Sequence, residues 1–313
     1  MSVERLPESV HDTINTVLGS FDRFQNTPIA WIAPAALFLL VFRLYPLVEA
    51  IRMSFTNMSL VEPGYRYVGL QSYLDVLSSP SFWTMSKVTL LFVCASVVLQ
   101  LTFGMVLALA IDHGVKEKLY VSVSTRVAVL SAWVIPGIVI GILWKIMLIE
   151  TNYGVVNYIL LQLGFDVVAF LSDPQMALLS TITANTWRGT AFSMIMLYAG
   201  LKQVPMHLYD AAKVDGAGAL QRFRYVTLPQ IKPVVFITLV LITIYTLNTF
   251  DMIMSLTGGG PGHATEVLAL FMYLEGFDRF HLGQAAAVAV LMLLVNVLMT
   301  VIYMHFFIEE EGM

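Results

Sequence analysis

Six stretches of predominantly apolar residues constrain this 313-residue chain more than any other feature. They run Ile29–Ala50, Val88–Ile111, Val127–Ile149, Ala177–Gly200, Pro233–Met254 and Gln284–Phe307. About 20 such residues in an α-helix cross the ~30 Å hydrocarbon core of a bilayer. Lipid offers no partner to a free backbone N–H or C=O, so each stretch is predicted to be helical. The expected fold class is an all-α membrane protein with six transmembrane helices. Only 12% of the residues are charged, about half the roughly 25% usual in soluble domains.

Lys and Arg in the connections predict orientation. The N-terminal segment, the 112–126 and 201–232 loops and the C-terminal tail together hold ten, whereas 56–86, 150–176 and 255–283 hold only Arg66 and Arg279. Both termini and the 201–232 loop are therefore expected in the cytoplasm. The expected organisation is a cytoplasmic segment at 1–28, a membrane domain at 29–307 and a short tail at 308–313. Residues 1–28 show no short apolar region before a small-residue cleavage site, so no cleavable signal is expected. Apolar spacing over Val3–Phe24 suits an amphipathic helix on the membrane surface or an unordered tail.

The remaining composition excludes several functions. A net charge of -4 without a basic cluster gives nucleic acid nothing to bind. Cys94 is the sole cysteine, which forbids an internal disulfide, and it is expected to be a buried small hydrophobe. No GxxxxGK[ST], HExxH, CxxC or GxSxG motif occurs, and the six histidines lack ligand spacing. Neither a catalytic nor a metal site is expected, and no cofactor in this chain. An ion-coupled transporter would need intramembrane carboxylates and inverted repeats. Only Glu49 and Asp251 lie near spans, both towards the outer ends. Glu62-Pro63-Gly64 and Thr257-Gly258-Gly259-Gly260-Pro261-Gly262 carry turn chemistry in the outer loops.

The 201–232 loop carries the most specific signal. Pro205 suits a helix start, and Met206–Val214 is predicted to be a short helix with Asp210 and Lys213 at pairing distance. Gly216 and Gly218 should end it. A second helix carrying Leu220, Phe223, Val226 and Leu228 follows. A short, alanine-sided projection of this kind fits a cleft on a partner.

Tyr-Asp-Ala-Ala-x-x-Asp-Gly-Ala at 209–217, with Phe223 and Leu228-Pro229, resembles the EAA loop of ATP-binding-cassette importer permeases. Asp210 stands where that motif usually has Glu, keeping the carboxylate one methylene shorter. Phe250-Asp251, Leu256-Thr257-Gly-Gly-Gly-Pro261 and Tyr45-Pro46 are similar to the carbohydrate-uptake branch, in particular its maltose-type first permease. The resemblance implies a type I importer permease whose coupling helix (Tyr209, Asp210, Ala211, Ala212, Asp215, Gly216, Ala217) docks on an ATPase subunit. It further implies a second homologous permease, two ATPase subunits that bind ATP and Mg, an extracytoplasmic solute-binding protein, and a sugar as cargo.

Polar residues inside spans usually face a cavity or a neighbouring helix. Trp133, three residues before Pro136, is a pocket wall, a lipid-facing ring or a helix-packing ring, and Pro136 should kink the third span. Asn185 needs a partner, whereas Arg188 fits a pocket, an acidic neighbour or an outer carbonyl equally. Ile242, Tyr245, Thr246 and Thr249 form one helical stripe, although Thr also bonds its own backbone. The resemblance places Trp133, Gly137, Asn185, Gly189, Ile242 and Thr246 on the solute passage. Arg43 departs from the apolar residue expected within a span, and either snorkels outward or marks an unusual solute.

Overall fold

The computed structural model describes residues 28–117 and 121–308. Val3–Phe24 and the 309–313 tail lie outside the described residues. Contacts divide the chain into Met1–Met53 and Ser54–Met313. The first unit holds most of helix α1, which runs Pro28–Leu39, widens into a π turn at Leu40–Leu44 and continues as Tyr45–Ser54. Arg43 falls in that widened turn.

The second unit is built on long helices joined by short ones. Helix α2 is Gln71–Ser78, α3 is Pro80–Lys116, α4 is Val121–Val134, α5 is Gly137–Met147 and α6 is Val155–Gln162. Helix α7 is Pro174–Gln203 and α8 is Met206–Val214. Helix α9 starts at Ala219, passes through a π turn at Phe223–Thr227 and continues as Leu228–Leu247. Asp251–Leu256 forms α10, Leu268–Tyr273 forms α11 with a π turn at Leu274–Asp278, and Leu282–Ile308 forms α12.

Four of these helices are long and apolar enough to cross a membrane: Trp31–Ser54, Pro80–Lys116, Ala219–Leu247 and Leu282–His305. The third expected span is broken rather than kinked, its halves meeting at 104°. Proline disfavours helical backbone at the residue before it, so α4 stops at Val134, and Pro136 is extended (ψ 141°) before α5 starts. Counted as one span, the pair makes a fifth. The fourth expected span, within α7, has the length at 30 residues, but Thr181, Thr183, Asn185, Thr186 and Arg188 make it much more polar than the others. The fifth expected span ends at Leu247, not Met254. Asn248 Nδ2 bonds Ile244 O (2.7 Å) and Thr249 Oγ1 bonds Tyr245 O (2.8 Å), and such local bonds compete with helix continuation. Cys94 is exposed, on a face of α3 turned away from the core, and not buried as expected.

Small residues set how closely the helices approach, as in membrane bundles generally. A Cβ on Gly104 of α3 would stand 2.5 Å from Ser193 Cβ of α7. A Cβ on Gly141 of α5 would meet the Met252 carbonyl oxygen of α10 at 2.5 Å. One core joins Phe92, Ile140, Ile182, Ile242, Met252 and Leu270. A second joins Ala108, Ile111, Met194, Leu197 and Ile231 near the 201–232 loop.

Beyond α5, Glu150 organises the connection to α7. Its Oε1 accepts from Leu171 N and Ser172 N, both at 2.6 Å, and its Oε2 accepts from Ser172 Oγ at 2.6 Å. Burial pushes this carboxyl up, but the three donors outweigh it and hold it below the usual value. A depressed folded value stabilises the loop above the unfolded value and loses that contribution as pH falls through the folded one. Protection of the Leu171 and Ser172 amides, taken relative to their intrinsic exchange at each pH, should hold from pH 7 down to the ordinary glutamate value of about 4.5 and be lost progressively below it. Glu150→Gln should show fast exchange at pH 7 already.

Candidate functional site

A cavity of about 300 Å³ lies where α3, α4, α7 and α9 meet the start of α10, lined by Gln100, Trp133, Asn185, Arg188, Tyr245 and Asp251 among others. The sequence-predicted Gly189, Ile242, Thr246 and Thr249 also line it. Gly137 does not, but it lies against a lining residue: a Cβ there would fall 2.1 Å from Asp251 Oδ2. Asp251 thus sits at the N-terminal end of α5, where the helix dipole favours a carboxylate.

Trp133 reaches this cavity from the last turn of α4, just before the break at Pro136. Its ring stacks on Phe192 at 4.9 Å between centroids and meets Tyr245 edge-on at 5.6 Å. Phe192 and Tyr245 are also edge-on, at 5.6 Å. Arg188 lies over the Trp133 ring at 6.0 Å, within cation–π range. Its Nη1 stands 3.9 Å from Asp251 Oδ1, so the acidic-neighbour alternative for Arg188 is realised inside the cavity. Thr249 lies beyond the end of α9, yet the chain turns back there and keeps it on the lining.

Gln100 was missed at the sequence level, although an amide within an apolar span was the available signal. Its Nε2 donates to Asn185 O at 3.2 Å and to Thr246 Oγ1 at 3.5 Å, joining α3, α7 and α9 across the cavity floor. Gly189 makes room for it: a Cβ there would meet the Gln100 carboxamide at 2.2 to 2.6 Å. Asn185 Nδ2 and Arg188 Nε are buried and have no hydrogen-bond partner among the described residues. An aromatic wall, two amides and a mutually neutralising Arg–Asp pair can hold a polyhydroxylated molecule through C–H stacking and hydroxyl bonds.

A second feature lies at the other end of α3 and α7. Pro205 precedes α8, and Lys213 Nζ pairs with Asp210 Oδ1 at 3.1 Å, as the spacing predicts. Asp210, Ala211, Asp215 and Gly216 are exposed, while Tyr209, Ala212 and Ala217 are half-buried. Gly216 adopts φ +78° and turns the chain into α9. Val214 and Leu220, on either side of this turn, are 88% and 79% exposed, an apolar surface free for a partner.

A helical membrane protein with a polar, aromatic-walled cavity and a projecting loop helix is the class these features define. The chain belongs to the family of binding-protein-dependent transport system inner membrane components, which it matches over residues 15–307. It is 35% identical over 276 residues to the trehalose/maltose transport system permease protein MalF of Thermococcus litoralis, covering 87% of this chain and 90% of that one. It is 32% identical over 276 residues to the sulfoquinovosyl glycerol transport system permease protein SmoG of Agrobacterium fabrum, covering 88% of each. In fold it is similar to a chain of a bacterial ABC transporter involved in alginate import, with a TM-score of 0.78 at 23% identity, covering 94% of this chain and 99% of that one.

Proposed function

We propose that this protein is the permease subunit of an ABC importer that moves a sugar or sugar derivative inward across the cytoplasmic membrane, powered by ATP hydrolysis on a separate ATPase subunit. Relatives named for trehalose/maltose and sulfoquinovosyl glycerol transport support a glycan cargo. In this reading six spans cross the bilayer between residues 29 and 307, with α7 the polar one and α4 with α5 a broken one. Both termini, 1–28 and 308–313, face the cytoplasm, as does the 201–232 loop. The cavity, with Trp133, Asn185, Arg188, Tyr245 and Thr246, holds the sugar in passage, and Gln100 and Asp251 join that set.

The observation that carries the reading is α8, a small-sided helix standing out of the bundle with Asp210, Ala211 and Asp215 exposed. It is the coupling helix, received by a groove on an ATPase that binds ATP and Mg. Two such ATPases, a second homologous permease and an extracytoplasmic solute-binding protein complete the machine. ATP binding draws the two coupling helices together and rocks the bundle to face outward, where the binding protein unloads. No catalytic step falls on this chain.

Purifying the tagged protein from its native membrane in mild detergent should recover an ATPase and a second permease. Asp210→Arg should lose the ATPase while the second permease stays bound. A lone homo-oligomer without an ATPase would refute the assignment.

A further inference from the structure

The loop end of the bundle carries a charged and aromatic cluster that no expectation from sequence had placed. Asp112, at the end of α3, is 9% exposed and receives two lysines. Lys116 Nζ lies 2.6 Å from its Oδ2, and Lys202 Nζ, from the end of α7, lies 2.8 Å from its Oδ1. Lys116 also stands 5.2 Å above the ring of Tyr209 in α8, and Lys202 stands 5.2 Å above Tyr198. Tyr209 OH is 3.0 Å from Thr227 Oγ1 in the π turn of α9. Tyr209 also packs against the second apolar core, to which α3, α7 and α9 all contribute.

One aromatic residue of the projecting helix is therefore tied to α3 through Lys116, to α9 through Thr227, and to the apolar core that α7 shares with both. Those same three carry the polar contact across the cavity, from Gln100 of α3 to the Asn185 backbone of α7 and to Thr246 of α9. Gln100 lies twelve residues from Asp112 along one unbroken helix, about 18 Å at 1.5 Å per residue. A displacement of α8 has a continuous, helix-borne route to the cavity floor.

We propose that Tyr209 is the positioning residue that transmits movement of the docking helix to the cavity, held in gear by Lys116 on Asp112. The inference rests on the import reading above. Its two parts have different tasks: the exposed residues of α8 bind the ATPase, whereas Tyr209 passes the motion on.

The test uses the whole complex with Cys94→Ala and Asn248→Cys, so that one cavity-lining thiol reports access to a hydrophilic maleimide. With Tyr209 and Lys116 intact, a non-hydrolysable ATP analogue should change the labelling rate at least fivefold. Lys116→Gln, which lies outside α8, should bind the ATPase as before, and both Lys116→Gln and Tyr209→Leu should reduce that change to less than twofold. Lys116→Arg, which keeps the charge over the ring and on Asp112, should restore it. A full nucleotide response in both loss variants would overturn the relay while leaving the import reading intact. Absence of any response with Tyr209 and Lys116 intact would instead overturn the import reading on which the relay depends. Co-purification of the ATPase with each variant separates a lost relay from lost folding or docking.

Discussion

Gly216→Pro should abolish ATP-driven uptake, by a hundredfold or more, while the chain still inserts and accumulates in the membrane. Gly216 sits at φ +78°, in the left-handed region, and its N–H donates to Lys213 O at 3.0 Å to close α8. Proline fixes φ near −65° and has no N–H. The substitution therefore loses the closing bond and reverses the turn that leads from α8 into α9. Ala217 N, bonded to Ala212 O at 2.9 Å, goes with it. The strain falls on a solvent-exposed loop, because a Cβ at Gly216 meets nothing within 4 Å. The bundle itself is untouched, and the damage is confined to the presentation of Asp210 and Asp215. Uptake in cells or proteoliposomes, set against membrane yield, reads this directly. Uptake near the level of the unsubstituted protein would show that α8 does not couple to a motor. Gly216→Ala, which keeps the N–H but strains φ, should fall between the two.

The contrast between loop and cavity explains how much of this molecule was legible in its sequence. Met206–Val214 was readable to the residue, because Pro205, the paired Asp210 and Lys213, and the two following glycines are local signals that no tertiary contact overrides. The long apolar stretches were readable as helices for the equally local reason that lipid leaves the backbone no alternative. Their ends were not. Whether Pro136 bends a helix or breaks it by 104° depends on whether something waits to cover the freed backbone. Here α10 lies across α5 at Gly137 and Gly141. Thr249 shows the same limit from the other side, since its place on a helical stripe was inferred from a helix that stops at Leu247. It lines the cavity through the turn that follows. Gln100 was hidden because one amide among apolar residues looks alike whether it faces a cavity, a neighbouring helix or its own backbone. Only the approach of Gly189 separates these alternatives.

Gly141→Ala, a change of one methyl group, should be among the most damaging conservative substitutions in the membrane domain. Its Cβ would stand 2.0 Å from Ser255 Oγ, 2.5 Å from the Met252 carbonyl oxygen and 3.1 Å from Leu256 N. The serine can rotate away, although its hydroxyl would leave its bonds to the Asp251 and Met252 carbonyls, each 3.0 Å long. The two backbone atoms cannot move unless α10 moves as a body. Overpacking of this kind costs roughly 1 to 3 kcal/mol, and Gly141→Val lies at or beyond the upper end. The functional consequence exceeds the loss of stability, because α10 begins with Asp251. Lifting it off α5 draws that carboxylate from Arg188 and from the N-terminal end of α5 together. Arg188 then faces the cavity as an uncompensated charge. Transport by Gly141→Ala should fall at least tenfold, and its melting temperature in detergent should drop by several degrees. Gly260→Ala is the control, since its nearest neighbour, Thr257 O, would lie at an ordinary 3.5 Å, and its backbone φ is not in the left-handed region. Equal behaviour of the two alanine variants would mean that the close approach of α5 and α10 does not hold Asp251 in place.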